Sequence, residues 1–249
     1  MNRRLIAFDL DGTLTVSKSP IPPLMADRLR ELLFHYDVCI ISGGKFDQFR
    51  VQVIDRLEVS SEQLARLHIM PTSGTSYYRF VDGSWVVQYT EDLTPQRRVE
   101  IADVLMAGAT ELGYWESDPF GEVIEDRGSQ VTFSALGQEA PPENKYAWDP
   151  DGAKKEALRA YVAARLPDLE VRVGGTTSID VTREGIDKAY GMRKLMAALD
   201  LTSDDILFFG DKLDEGGNDF PVKSTGIDTI AVGNWEDTAL ALEAIIQVS

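Results

Sequence analysis

Leu5-Ile6-Ala7-Phe8-Asp9-Leu10-Asp11-Gly12-Thr13 opens the chain with four consecutive apolar residues, then two carboxylates around a leucine and a turn-forming glycine. A short apolar run cut off by Asp-Gly reads as a fully buried strand ended by a turn. In parallel α/β sheets, ligands bind beyond the carboxyl ends of the strands, so Asp9 and Asp11 point into the expected site. A carboxylate can attack phosphorus and divide one hard step into two. A second carboxylate two residues on can protonate the leaving oxygen and later activate the incoming hydroxyl or water. Gly12 allows the sharp turn that brings both groups to one spot. Taken alone, the same residues also describe an ordinary acidic turn after a strand, so the rest of the chain has to decide.

Working outward, residues 22–36 carry apolar side chains at helical spacing, with prolines at the start, where a missing N–H does no harm. Residues 37–41 read as a second buried strand ended by Ser42-Gly43-Gly44, and residues 46–57 as a helix. Strand–helix–strand–helix order argues for a parallel sheet with helices on both faces. The style then changes. Residues 77–80 and 85–89 flank Asp82-Gly83 as a hairpin, residues 95–112 form a helix opened by Thr94 and Pro95, and residues 130–134 alternate like a half-exposed strand. Residues 139–150, with three prolines, read as a loop. Residues 153–166 form an amphipathic helix, and 169–173 and 178–181 are strands joined through Gly174-Gly175. The α/β pattern returns with a helix at 188–199, strands at 206–209 and 229–232, and a helix at 237–246. The expected architecture is α/β: a three-layer, Rossmann-like parallel-sheet core (1–82 and 186–249) with an inserted α+β cap domain (83–185).

A chain of 249 residues with 43% hydrophobic content has room for a core and an inserted domain. The formal net charge is −16, from 25 basic and 41 acidic residues. Such a surface repels nucleic acid and anionic membrane, and no Lys/Arg-rich run offsets it. No stretch approaches the roughly 20 apolar residues of a membrane span. The apolar run after the N-terminus is too short for a signal peptide. The one cysteine, Cys39, lies within Val38-Cys39-Ile40-Ile41 and reads as a small buried hydrophobe, which fits a reducing, cytoplasmic location.

Three further stretches carry chemistry. Ser42-Gly43 offers a hydroxyl and backbone N–H groups as a phosphate cradle. Lys188, opening a helix just after the insertion, can offset charge on a phosphate and on Asp9. Phe208-Phe209-Gly210-Asp211 followed by Gly216-Gly217-Asn218-Asp219 again ends a buried strand in an acidic, glycine-rich loop. Carboxylate and amide oxygens are the hard ligands that Mg²⁺ prefers. The need for a cation follows from charge: a carboxylate 4 Å from a phosphate oxygen repels it by about 4 kcal/mol per charge pair at an effective dielectric of 20. A bridging divalent ion removes that barrier. Each stretch is weak alone; together, in this order and at these strand ends, they favour phosphoryl transfer over four coincidental turns.

Asp9-Leu10-Asp11-Gly12-Thr13, Ser42, Lys188 and Asp211 with Asn218-Asp219 resemble, in order, the four motifs of the haloacid dehalogenase-like superfamily, and an insertion between the second and third resembles its large α+β cap subclass. The resemblance implies Asp9 as nucleophile, Asp11 as acid and base, and Ser42, Gly43 and Lys188 on the phosphate. It implies Mg²⁺ held by Asp9, the Asp11 carbonyl and Asp211, with Asn218 and Asp219 beside them. Within the subclass, Gly174 to Val181 and Gly185-Ile186-Asp187-Lys188 are similar to eukaryotic-type phosphomannomutases. That likeness implies Ser178, Asp180 and Arg127 as substrate-binding residues, a sugar phosphate or similar small phosphorylated substrate, and a homodimer through the cap. The chain departs from those mutases in having Ala135-Leu136-Gly137-Gln138 where they have Ile-Gly-Arg, and Asn144-Lys145 near a following arginine. A mutase must hold a bisphosphate at both ends, and arginine's bidentate fork suits that task. The expected reaction is therefore hydrolysis of a sugar phosphate through an aspartyl-phosphate. A hexose phosphomutase is the alternative, and a non-catalytic sugar-phosphate binder the third reading. Closure of the cap is expected, with hinges at residues 82–84 and 184–186.

Overall fold

The structure is a computed structural model and describes residues 3–249. In chain order the first half of the core runs β1 (Leu5–Phe8), α1 (Pro23–His35), β2 (Asp37–Ile41), α2 (Phe46–Phe49), a π-helical turn (Arg50–Ile54), α3 (Asp55–Leu57), α4 (Ser61–Leu64), β3 (Leu67–Met70), β4 (Ser76–Val81) and β5 (Ser84–Thr90). The insertion holds α5 (Pro95–Glu111), β6 (Ile124–Asp126), β7 (Gln130–Ser134), α6 (Pro142–Trp148), α7 (Ala153–Arg165), β8 (Leu169–Val173) and β9 (Ser178–Arg183). The core resumes with α8 (Lys188–Leu199), β10 (Ile206–Gly210), β11 (Asp228–Ala231) and α9 (Trp235–Gln247). The chain divides into two compact units, one of residues 1–90 and 187–249, the other Glu91–Ile186.

The core sheet has the order β11-β10-β1-β2-β3-β4-β5, parallel from β11 to β3 and antiparallel beyond. Its central strands β1, β2 and β10 are apolar on both faces because both are covered. Ile6, Phe8, Val38, Ile40, Leu67 and Ile69 face one way and pack with Met25, Leu29 and Leu32 of α1 and Leu242 of α9. Leu5, Ala7, Cys39, Ile41 and Met70 face the other way and pack with Met192 and Leu195 of α8. The two-residue period of the strands thus builds a three-layer sandwich.

The hairpin does not belong to the insertion. β5 pairs along its length with β4, so it extends the core sheet, and the insertion begins at Glu91 rather than at residue 83. The expected hinge at 82–84 is the hairpin's own turn, in which Asp82 and Gly83 both have positive φ (49° and 82°), as a tight two-residue turn matching strand twist requires. In the insertion an antiparallel sheet, β6-β7-β9-β8, packs Val131, Phe133, Ile179 and Val181 against Ile101 and Leu105 of α5 and Leu158 and Val162 of α7. Two expectations fail here. Residues 142–148 are helical, because Pro142 sits in the first turn, where no N–H is needed. β7 is not half-exposed: Gln130, Thr132 and Ser134 are buried too, and side-chain hydrogen bonds satisfy them. Among the described residues, no helix is long and apolar enough to cross a membrane.

Among the described residues, His68 on β3 is the one buried imidazole in this core. Its Nδ1 lies 2.6 Å from the Tyr77 hydroxyl, and its Nε2 is buried with no hydrogen-bond partner. Burial, aided by Arg79 and opposed by Asp37, lowers its pKa from 6.5 to about 4. The unfolded chain takes up the proton near 6.5 and the folded chain resists it until about 4, so this stabilisation is complete above the upper value and is lost as pH falls between the two. The loss amounts to about 3 kcal/mol. Urea denaturation of wild type and His68→Phe at several pH values between 4 and 7 should show the wild type losing that much more; parallel curves would rule the linkage out.

Candidate active site

The site forms at the carboxyl ends of three adjacent strands. Asp9 follows β1, Ser42 follows β2 and Asp211 follows β10, and the Asp9 N–H donates to the Phe209 carbonyl, which locks the end of β1 to its neighbour. Lys188 is the first residue of α8, and the Asp187 side chain caps that helix by accepting from the Tyr190 N–H at 2.7 Å. The cap fixes the angle at which Lys188 leaves the helix.

The Lys188 ammonium is buried between two carboxylates, 2.5 Å from Asp9 and 2.6 Å from Asp219. Asp219 also accepts from the Lys212 N–H at 3.0 Å. Asp9, Asp211 and Asp219 each bring an oxygen to within 4.8 Å of the others. Three carboxylates against one ammonium leave the cluster short of positive charge. Burial, with Asp219 adding to it and Lys188 opposing it, holds the Asp9 carboxyl up at about 7. Burial and Asp219 raise Asp211 as well. Burial works to lower Lys188, but Asp9 and Asp219 outweigh it and raise its pKa.

The cluster suits a divalent cation. The donors are hard oxygens, Asp211 Oδ1 is buried without a hydrogen-bond partner, and a methyl group on Gly12 would run into the Asp211 carboxylate. Gly12 also has φ of 92°, so this position needs glycine on both counts. Asn218 is exposed beside Asp219. The Asp11 carboxylate is turned to other partners: it accepts from the Lys18 N–H at 2.7 Å, from Gln52 Nε2 at 3.1 Å and from Gln48 Nε2 at 3.2 Å. The sequence reading missed both glutamines. Their spacing of four residues after the Ser42-Gly43-Gly44 turn puts them on one helical face, a signal that was there to be read. Gly43 has open space where a side chain would stand, as a backbone cradle needs.

The remaining anticipated residues lie in the insertion. Asp180 Oδ1 accepts from Gln130 Nε2 at 2.8 Å and from the Thr132 hydroxyl at 2.7 Å. The Ser178 hydroxyl is 3.1 Å from that of Ser134, which also accepts from Gln138 Nε2 at 2.9 Å. The Lys145 ammonium donates to the Gln138 carbonyl at 2.9 Å. Arg127 forms a buried fork with Glu125, at 2.8 and 2.6 Å. One polar face of the insertion's sheet therefore holds Ser178 and Asp180 together, with Gln130, Thr132 and Ser134 as partners that the sequence did not single out.

Comparison with known proteins agrees with this geometry. The family described as eukaryotic phosphomannomutase matches residues 118–248, more than half of the chain. The chain belongs to that family. It is similar to a phosphomannomutase of Encephalitozoon cuniculi (26% identical, covering 95% of this chain and 91% of the relative) and to human phosphomannomutase 1 (26%, 88% and 83%). Among solved structures, its fold is similar to that of a haloacid dehalogenase-like hydrolase from Bacteroides thetaiotaomicron (TM-score 0.65, 18% identical, 98% of this chain and 99% of that one). An IMP-nucleotidase of Plasmodium falciparum shares the fold too (TM-score 0.73, 15% identical, 100% and 63%). The protein is thus a phosphoryl-transfer enzyme with a haloacid dehalogenase-like fold.

Removing the central cation tests the arrangement. Lys188→Met leaves Asp9 and Asp219 buried with no cationic side chain between them, which should cost about 3–5 kcal/mol in urea denaturation of the metal-free protein at pH 8. Mg²⁺ should recover part of the loss. A variant as stable as wild type would mean that the ammonium is not what holds the two carboxylates.

Proposed function

We propose that this chain is a hexose phosphomutase of the phosphomannomutase kind, acting on a sugar phosphate in the cytoplasm. The family match carries this reading. It spans Ser178, Asp180, Lys188 and the Asp211–Asp219 loop in one continuous stretch, so the likeness includes the strand expected to meet the sugar as well as the phosphate-handling residues. The relatives named above are phosphomannomutases, and this favours transfer to a sugar hydroxyl over the hydrolysis expected from Gln138 alone.

In this reading an Asp9 oxygen attacks phosphorus while the Lys188 ammonium, Ser42 and the Gly43 N–H hold the phosphate oxygens. Asp11 gives its proton to the departing sugar oxygen. It then takes a proton from the free hydroxyl of a sugar monophosphate that attacks the aspartyl-phosphate, which gives a bisphosphate whose other phosphate can return to Asp9. The donors from Lys18, Gln48 and Gln52 keep the Asp11 carboxyl aimed between the two steps. Mg²⁺, held by Asp9, the Asp11 carbonyl and Asp211 with Asp219 and Asn218 beside them, would offset the charge of carboxylate and phosphate as they meet. Ser178 and Asp180 offer sugar hydroxyls an acceptor-rich surface that is already ordered by Ser134, Gln130 and Thr132.

Hydrolysis stands as a second reading on one specific observation. Arg127 is tied to Glu125 and Gln138 is a neutral amide, so a second strong phosphate grip in the insertion is not evident from these residues. Incubation with mannose 1-phosphate, Mg²⁺ and a hexose bisphosphate distinguishes the two. Mannose 6-phosphate without free phosphate is the expected product. Stoichiometric release of inorganic phosphate would replace the mutase by a phosphatase. Asp9→Asn should lower either activity by roughly a thousandfold or more.

A further inference from the structure

Between β3 and β4 the backbone does something unusual. Thr72, Ser73 and Gly74 all have positive φ, at 48°, 55° and 85°. Glycine adopts this region freely, but a β-branched residue there is a real outlier, and such conformations persist only when the surroundings impose them. The surroundings here are the two halves of the expected phosphate site. On one side, the Ser73 N–H donates to the Ser42 carbonyl and the Thr72 N–H to the Gly44 carbonyl, both at 3.0 Å. The turn therefore grips the Ser42-Gly43-Gly44 loop at both ends. On the other side, Gly74 lies against Gly191, one turn into the helix that begins at Lys188.

That contact admits no side chain from either partner. A methyl group on Gly74 would run into the Gly191 backbone. One on Gly191 would stand 2.6 Å from the Ser73 carbonyl oxygen and 2.5 Å from Ile41 Cδ1. Glycine inside a helix weakens it, so its presence at position 191 calls for a close approach, and the turn supplies one. The turn is itself pinned. The Thr72 and Thr75 hydroxyls are 2.6 Å apart, and the Tyr89 hydroxyl donates to the Gly74 carbonyl at 2.9 Å.

We propose that the left-handed turn Thr72–Gly74 is a wedge that sets the spacing between the Ser42–Gly44 loop and the first turn of α8, with Ser73, Gly74 and Gly191 as positioning residues for phosphoryl transfer. The inference rests on the assignment of Ser42 and Lys188 to the transferred phosphate. None of the three residues touches the reacting atoms. They act by holding the hydroxyl and the ammonium at one separation, and small misplacements of such groups are costly to catalysis.

The test uses the full-length enzyme, with orthovanadate as a probe of phosphate-site geometry and thermal unfolding read alongside. Gly191→Ala pushes α8 off the turn. Ser73→Val opposes the left-handed conformation, whereas Ser73→Asn accepts it. Gly191→Ala and Ser73→Val should lower kcat by roughly tenfold to a hundredfold and weaken vanadate inhibition while the protein remains folded. Ser73→Asn should restore both. Should Gly191→Ala fail to fold, the Ser73 pair decides in the same way. If both disruptive variants lower only the unfolding temperature, leaving kcat and vanadate inhibition unchanged, the turn is structural and the wedge is overturned. Ser42→Ala and Lys188→Ala separate the two levels of the argument. If they lose activity while the wedge variants keep it, the wedge alone falls; if they also keep full activity, the phosphate assignment falls and takes the wedge with it.

Discussion

A lysine ammonium buried between Asp9 and Asp219 is the interaction on which the rest of the molecule depends. Taking three charges out of water is expensive, and only good geometry returns the cost. The fold supplies that geometry with rigid parts. Asp9 ends a strand buried on both faces, Asp219 is fixed through a backbone N–H of its own loop, and Lys188 leaves a helix whose first turn is capped by its neighbour. The cluster still carries more negative than positive charge. The same charge imbalance that burdens the folded protein leaves it suited to a cation.

Much of this was legible in the sequence. β1, β2 and β10 were plain because a strand covered on both sides is a short, unbroken apolar run, and each ends in residues that cannot continue it. Asp9, Asp211 and Ser42 stood out because they follow those ends, and Lys188 because it opens a helix just after the insertion. β3 was not singled out, because His68 interrupts its apolar run; the fold accommodates that residue as a neutral imidazole against Tyr77. The place where the insertion starts was misjudged because a hairpin's local signals say nothing about which sheet its second strand extends. Gln48 and Gln52 were passed over for a different reason. Amides on a helix read as surface, and only the placement of Asp11 shows what they serve.

The insertion shows how a polar sheet face can be buried without becoming a liability. Gln130, Thr132, Ser134, Ser178 and Asp180 alternate with the apolar residues that pack on α5 and α7, and they satisfy one another's hydrogen-bonding groups. Such a network is ordered before any ligand arrives, so little side-chain freedom remains to be lost on binding. Gln138 and Lys145 extend the same network with an amide and a backbone-bonded ammonium. Any difference in substrate preference between this chain and its relatives has a physical origin to be sought there.

Arg183, at the end of β9, donates to the carbonyl of Glu91, the residue with which the insertion begins. Entry and exit of the inserted unit are therefore stitched side by side. Seen from the core, a whole second hydrophobic nucleus occupies the place of a short surface loop. Closing such a gap adds little to the conformational cost of folding the host. The stitch makes this module exchangeable: a different one with neighbouring ends could be spliced at the same two positions without disturbing the sheet that carries the chemistry.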